Sequence, residues 1–322
     1  MREPFGTTAE GKAVEKITLS AGDLTVSILT WGAVVQDVRL KGVAYPLTLG
    51  SNDLADYEGA LRFHGSLIGP LANRTCPARV EIDGMMYELE RNVGDVHLHS
   101  GRGATQLQVW DVVDVSETAV TLTCHLVDGQ AGLPGNRDIT VVFEVSAPAT
   151  LSMRINGVTD APTLMNFANH SYWNLDGTAT WAGHQLHVHA EHYLPLTENL
   201  IPTGEVETVA DGSLDFRQAA EISPQNPDFD NNFCLSNQRT ALRDVLTLTG
   251  TSGVTMTVAT DQTGIQVYDN RAPARPGKEV YEGLAIEAQS WPNAPHNSGF
   301  PSIRVTPDAP YVQETQWRFS KG

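Results

Sequence analysis

The sequence predicts an all-β protein: a single large antiparallel β-sandwich spanning residues 1–322, with few short helices. Three observations lead there. Apolar residues recur with period two along most of the chain, the signature of half-buried strands. Clusters of Gly, Pro, Asn and Asp separate these runs, as turns do. No linker, low-complexity run or repeat of fixed period divides the chain, which argues against a propeller or solenoid.

The runs can be taken in order. In "LTVSILT", Leu24, Val26 and Ile28 share a face. In "VTLTCHL" the shared face carries Val120, Leu122, Cys124 and Leu126. In "ITVVFEV" it carries Ile139, Val141, Phe143 and Val145. "LSMRI" and "VTMTVAT" alternate in the same way, and "TGIQVYDN" follows the latter after a short polar turn, predicting a hairpin. Helical spacing is confined to "SNDLADYEGA" and "DFRQAAEIS", each expected as one short helix.

Composition narrows the function. The 322 residues are 41% hydrophobic and 18% charged, with a formal net charge of −17. That field disfavours nucleic acid and anionic membrane surfaces, and mildly disfavours phosphorylated ligands. It leaves a neutral or cationic small molecule. Three cysteines, Cys76, Cys124 and Cys234, form no CxxC pair, so neither a disulfide framework nor a zinc knuckle is expected. The opening "MREPFGTTAEGKAVEK" has no apolar leader, and no apolar run reaches the ~18 residues of a membrane span. The expected setting is cytoplasmic.

Strand parity then becomes a test for function. In "LAIEAQSW", Glu287 and Gln289 point one way, and Leu284, Ile286 and Ala288 the other. A carboxylate on the polar face of an otherwise apolar strand is placed to line a site. In "HLHSG", His97 and His99 are expected to share a face beside a glycine-bearing loop that would admit a ligand to the backbone. "HQLHVHAEH" gathers His184, His187, His189 and His192, but no carboxylate or cysteine stands at ligand spacing, so no metal is expected. There is no GxSxG elbow, P-loop or dinucleotide fingerprint. Ser171 follows His170 directly, so the two point to opposite faces and do not form a nucleophile–base pair.

Acid–base chemistry remains. Its candidates are Glu287, Asp230, His170, His99 and Arg74. A carboxylate and an imidazole can serve as base and acid on two oxygens of one substrate. Arg74 and a carboxylate at "FDNNF" can orient hydroxyl groups by charge-assisted hydrogen bonds. Taken alone, Arg74 also admits a plain ion pair, and Asp230 an Asx turn.

The segments "GPLANR", "HLHSG", "NHSYWNL", "YLPLTENLIPTGEV", "FDNNFCL" and "IEAQSWPNAP" occur in this order. In them the chain resembles the aldose 1-epimerases, or galactose mutarotases, and the resemblance runs over nearly its whole length. It implies a galactose mutarotase-like supersandwich and an isomerase that interconverts the α and β anomers of a free aldose such as galactose or glucose. The implied roles are Glu287 as general base, His170 as general acid and His99 as a group polarising the sugar. Arg74, Asp230 and Asn73 would hold hydroxyls. No metal, nucleotide or other cofactor is implied, and the partner is a sugar, with the chain a monomer or homodimer. His170 would need to be protonated; an imidazole near pKa ~6.5 beside a carboxylate is expected to hold its proton.

Three positions depart from the family pattern: Pro70 for the first arginine of "GRxANR", Asn231 for the histidine of "DHNF", and Ser100–Gly101 after "HLH". Because Pro70 and Asn231 flank Arg74 and Asp230, they bear on the preferred sugar. The alternatives are a hexose-6-phosphate 1-epimerase, which would need clustered arginines, a non-catalytic sugar-binding relative, which would be expected to lack Glu287 or His170, and glycoside hydrolysis by Glu287 with Asp230, decided by the carboxylate separation.

Overall fold

The period-two runs form three sheets in the computed structural model, which describes residues 1–272 and 275–322. The first is a meander of Arg2–Thr7, Ala13–Ala21, Leu24–Leu29 and Val34–Leu40. The second has nine strands, with Arg137–Ser146, Thr150–Thr159, Tyr311–Lys321 and Val254–Thr260 at its centre. The third has six, in the order Tyr172–Trp173, Leu284–Gln289, Gly264–Tyr268, Asp230–Cys234, His192–Tyr193 and Glu207–Thr208. Every pairing within these sheets is antiparallel.

The sheets pack as a sandwich around one apolar cluster. Ile17, Leu19 and Val26 come from the meander. Leu122, Val141, Leu151 and Val258 come from the nine-stranded sheet, and Ile265, Val267, Leu284 and Ile286 from the six-stranded one. All the alternating sets named from the sequence are buried as expected, including Leu24, Val26 and Ile28 and the series Val120 to Leu126. Trp173 of the third sheet reaches Phe319 of the second at 5.6 Å between ring centroids.

Two local expectations fail. Val254–Thr260 and Gly264–Tyr268 do not form a hairpin: the first pairs with Arg243–Thr249 and Tyr311–Lys321, the second with Asp230–Cys234 and Leu284–Gln289. The polar turn between them carries the chain from one layer of the sandwich to the other. Alternation reports which face is buried and says nothing about the partner strand. The second failure is "DFRQAAEIS". The helix at Leu54–Glu58 forms, with Asp53 Oδ1 accepting from the Ala55 amide at 3.0 Å. In "DFRQAAEIS", however, Asp215 turns the chain by accepting from the Arg217 amide and guanidinium, and Ala220–Glu221 adds to the sheet edge at Gln185–Leu186. Among the described residues no helix is long and apolar enough to cross a membrane.

Candidate active site

Register in the six-stranded sheet sets the site. Tyr172 pairs with Ala285 and Trp173 with Leu284. Continuing that register by two residues sets His170 opposite Glu287. On the other side of the same strand, Glu287 pairs with Gln266, and Gln266 with Asn232. A second row on the same face runs Tyr172, Ala285, Tyr268, Asp230. Their sequence neighbours Leu284, Ile286, Ile265 and Val267 face the core. Alternation thus gathers acid, base and aromatic residues on the face turned from the core.

Two asparagines fix the His170 segment. Asn166 exchanges two hydrogen bonds with Ser290, Oδ1 accepting from its amide at 2.8 Å and Nδ2 donating to its carbonyl at 3.2 Å. Asn169 Nδ2 donates to the Gly65 carbonyl at 2.8 Å. The His170 amide donates to Ser66 O at 2.9 Å, and its carbonyl accepts from Gly65 N at 3.0 Å. The "GPLANR" segment enters under Phe167: a Cβ at Gly69 would lie 2.1 Å from that ring. Asn73 then takes φ +63° and caps the turn, its Oδ1 accepting from Arg74 N at 2.8 Å.

The six residues named from the sequence, Glu287, His170, His99, Arg74, Asp230 and Asn73, all line one cavity of about 210 Å³. His170 Nε2 lies 3.5 Å from Glu287 Oε1, both side chains almost fully buried. Arg74 Nη2 donates to Asp230 Oδ2 at 3.2 Å, and Gln266 Nε2 to Asp230 Oδ1 at 2.8 Å. Asp230 therefore sits in a strand rather than an Asx turn. His99 Nδ1 accepts from the Asn73 amide at 3.1 Å, which leaves Nε2–H as its donor. Phe63 packs beside both imidazoles, tilted 5.0 Å from His99 and stacked 5.8 Å from His170, and the two imidazoles meet edge-on at 5.4 Å.

Burial dominates the electrostatics. It pushes the Glu287 carboxyl up to about 8, with the charge of Asp230 adding to the shift and Arg74 opposing it. It pushes His170 down to about 4. His99 is also held well below the usual imidazole range, by burial and then by His170 and Arg74. This corrects the expectation of an imidazolium: at neutral pH the pair carries one proton, and burial favours it on Glu287. The attraction of a neighbouring carboxylate is outweighed because both side chains are almost fully buried, where an unshielded charge is costly.

Other expectations need adjusting. His97 and His99 do not share a strand face, because the strand ends at Leu98 and His99 takes φ +50°. His97 is buried beside the Glu90 carbonyl, at 2.7 Å from Nδ1, while His99 reaches the cavity. Pro70 and Asn231 stay out of the cavity lining; Asp230, next to Asn231, is in it, whereas the lining nearest to Pro70 in sequence begins at Asn73. His184 is a buried acceptor, its Nε2 receiving the Leu175 amide at 2.9 Å. Gln266, Tyr268 and His64 were not singled out from the sequence. Gln266 carries the same mark as Glu287, a polar residue between apolar neighbours, and Tyr268 follows two places on along the same face of "TGIQVYDN". His64 left no such trace.

An antiparallel β-sandwich with a pocket on one sheet, holding a carboxyl and an imidazole in contact, is an arrangement suited to acid–base chemistry. The aldose 1-epimerase family model matches residues 15–318, and the chain belongs to that family. It is 29% identical to galactose mutarotase of Bos taurus, over 99% of this chain and 98% of the relative. Against aldose 1-epimerase of Escherichia coli the identity is 28%, over 99% of both chains. The crystal structure of a GalM/aldose epimerase homologue from C. elegans superposes with TM-score 0.90 at 26% identity, covering 96% of this chain and 99% of that one. A galactose 1-epimerase from Lactobacillus acidophilus shares the fold at TM-score 0.87 and 24% identity, covering 100% and 98%.

Proposed function

We propose that this protein interconverts the α and β anomers of a free aldose, with Glu287 and His170 as its acid–base pair. The observation that carries the reading is the 3.5 Å contact between His170 Nε2 and Glu287 Oε1 on the cavity wall. A cyclic aldose is a hemiacetal. Opening it removes the proton of the anomeric hydroxyl, forms the C1 carbonyl, breaks the bond from C1 to the ring oxygen and delivers a proton to that oxygen. Glu287 takes the first proton as carboxylate and His170 gives the second as imidazolium. Rotation about C1–C2 turns the carbonyl over, and the reverse transfers close the ring on its other face.

Proton counting fits this pair. The carboxylate–imidazolium form and the doubly neutral form hold the same single proton. Ring opening ends in the neutral form, the one that burial favours. Burial therefore favours the pair as ring opening leaves it, and the ionic form that starts the reaction is its less populated tautomer. His99, through Nε2–H, polarises a sugar oxygen. Asp230, held by Arg74 and Gln266, accepts from hydroxyls, and Asn73 fixes Arg74 and His99 through its backbone turn.

A hexose 6-phosphate is disfavoured as substrate. The two guanidinium groups lining the cavity are each tied to a carboxylate, Arg74 to Asp230 and Arg271 to Asp269. The three cysteines are free thiols, which suits the cytoplasm, and a monomer or homodimer suffices because one chain supplies every named residue. Polarimetry on freshly dissolved α-D-galactose, α-D-glucose and α-D-xylose tests the reaction. The protein should speed the decay of optical rotation for at least one of them, and no acceleration with any would refute the reading.

A further inference from the structure

The segment "YLPLTENLIPTGEV" contributes no acid, base or charged group to the pocket, yet one of its residues lines it. The chain from 195 to 203 closes on itself. Thr197 N donates to Ile201 O at 2.8 Å, Leu200 N to Thr197 O at 2.9 Å, and Thr203 N to Pro195 O at 2.9 Å. Thr197 Oγ1 accepts from Ile201 N at 3.2 Å. This tight turn holds Leu200 at φ +60°, where a branched side chain is strained. Leu200 is also 37% exposed and lines the same cavity as Glu287 and His170. Leucine is disfavoured there twice, by its backbone and by its apolar exposure. Asparagine suits a left-handed position far better, and Asn199 stands one place earlier. A register that puts leucine in the strained position and asparagine beside it serves the pocket rather than the turn.

An aldose presents hydroxyls around its rim and a patch of C–H groups on a ring face. Arg74, Asp230 and His99 match the hydroxyls. We infer that Leu200 is a substrate-contacting residue that packs on the apolar C–H face of the bound sugar and sets part of the affinity for it. This rests on the proposed mutarotase reading for the identity of the ligand. A packing contact kept equally before and during ring opening would act on KM and leave kcat unchanged.

Leu200→Asn, Leu200→Ala and Leu200→Met test it, by NMR titration with D-galactose, D-glucose and D-xylose and by polarimetric KM and kcat. The Asn and Ala variants should weaken binding of the preferred sugar about fivefold, roughly 1 kcal/mol at 1.4 per tenfold, with kcat kept. Met should restore wild-type affinity. The Asn variant should melt no lower than wild type, because it relieves the turn. Unchanged dissociation constants in the Asn and Ala variants would overturn the inference even with a fully active wild type. Weakened binding in a protein that accelerates no mutarotation would support the contact and sink only the reaction. A wild type that binds none of the three sugars would overturn both.

Discussion

His170 Nε2 and Glu287 Oε1 stand 3.5 Å apart, His170 lying two residues before Tyr172–Trp173, the strand that pairs with the one carrying Glu287. Among the described residues neither has another side-chain partner: Glu287 Oε2 and His170 Nδ1 are buried without a hydrogen bond. Buried polar atoms left unpaired cost roughly 1–3 kcal/mol each. Stability does not account for this arrangement; the proposed proton transfer would.

Replacing either residue therefore removes a transfer that the other cannot make alone. His170→Asn and Glu287→Gln should each lower kcat by ~10²–10⁴-fold while NMR titration still detects sugar. The double variant should fall little further than the worse single one, because the two act as a unit. Near-wild-type turnover in either single variant would remove that residue from the mechanism.

The pH profile follows from the proton count. The active site needs one proton on the pair. Below about 4 the pair gains a second proton at His170, and above about 8 it loses its only one from Glu287. A plot of kcat/KM against pH should be a broad bell with those limbs. A profile centred near pH 4 or rising steadily past pH 9 would contradict the assignment.

The same burial makes stability pH-dependent, with opposite signs for the two groups. Glu287 has a folded pKa near 8 against 4.5 for a free carboxyl, so the folded state holds the proton more tightly. Its cost is absent below about 4.5 and fully present above about 8. Glu287→Gln should therefore raise the melting temperature relative to wild type above pH 8, by on the order of a few kcal/mol in free energy, and the relative gain should vanish near pH 4. His170 runs the other way: its folded pKa of about 4 lies below the free value of 6.5, so it destabilises progressively as pH falls from 6.5 to 4. His170→Asn should lose less stability than wild type across that window. Parallel curves for both variants and wild type would show that neither group is buried in solution.

The layers of this fold were readable because alternation writes burial directly into the sequence. Val120, Leu122 and Leu126 could face only inward. The same rule exposed Glu287, since a carboxylate on a strand whose other face is apolar has to meet a cavity or solvent. What alternation omits is pairing. It could not tell that Val254–Thr260 and Gly264–Tyr268 lie in different sheets, nor that His99 leaves its strand with positive φ. His64 escaped because it is buried in a turn without period, stacked 4.1 Å from Tyr172. The protonation of His170 was misjudged for a related reason: a sequence shows the neighbouring charge but not the depth of burial that outweighs it.

Asp230 offers a test of how the pocket holds hydroxyls. Its Oδ1 takes the Gln266 amide and its Oδ2 the Arg74 guanidinium, so both oxygens are oriented before a sugar arrives. Removing one tether should loosen the carboxylate without removing it. Gln266→Leu is expected to raise KM several-fold with kcat within about threefold of wild type, since the lost orientation affects binding of the sugar rim. Arg74→Lys keeps the charge but loses the planar fork, and should raise KM further. Equal KM values in all three proteins, by polarimetry over a range of sugar concentrations, would mean that these tethers do not position Asp230 for substrate.

Selectivity against phosphate closes the chemical argument. A sugar phosphate brings a dianion that must be matched by free cations. At this cavity Arg74 and Arg271 are already neutralised by Asp230 and Asp269, and the chain as a whole carries −17. Breaking either ion pair to serve a phosphate would strand a carboxylate next to that phosphate, which is repulsive in both contacts. D-Glucose 6-phosphate should therefore show a kcat/KM at least a hundredfold below D-glucose when both are followed by polarimetry at equal ionic strength. Raising the salt should narrow the gap, because screening weakens the repulsion. Comparable rates for the two sugars at low salt would mean that one of these arginines leaves its carboxylate when substrate binds.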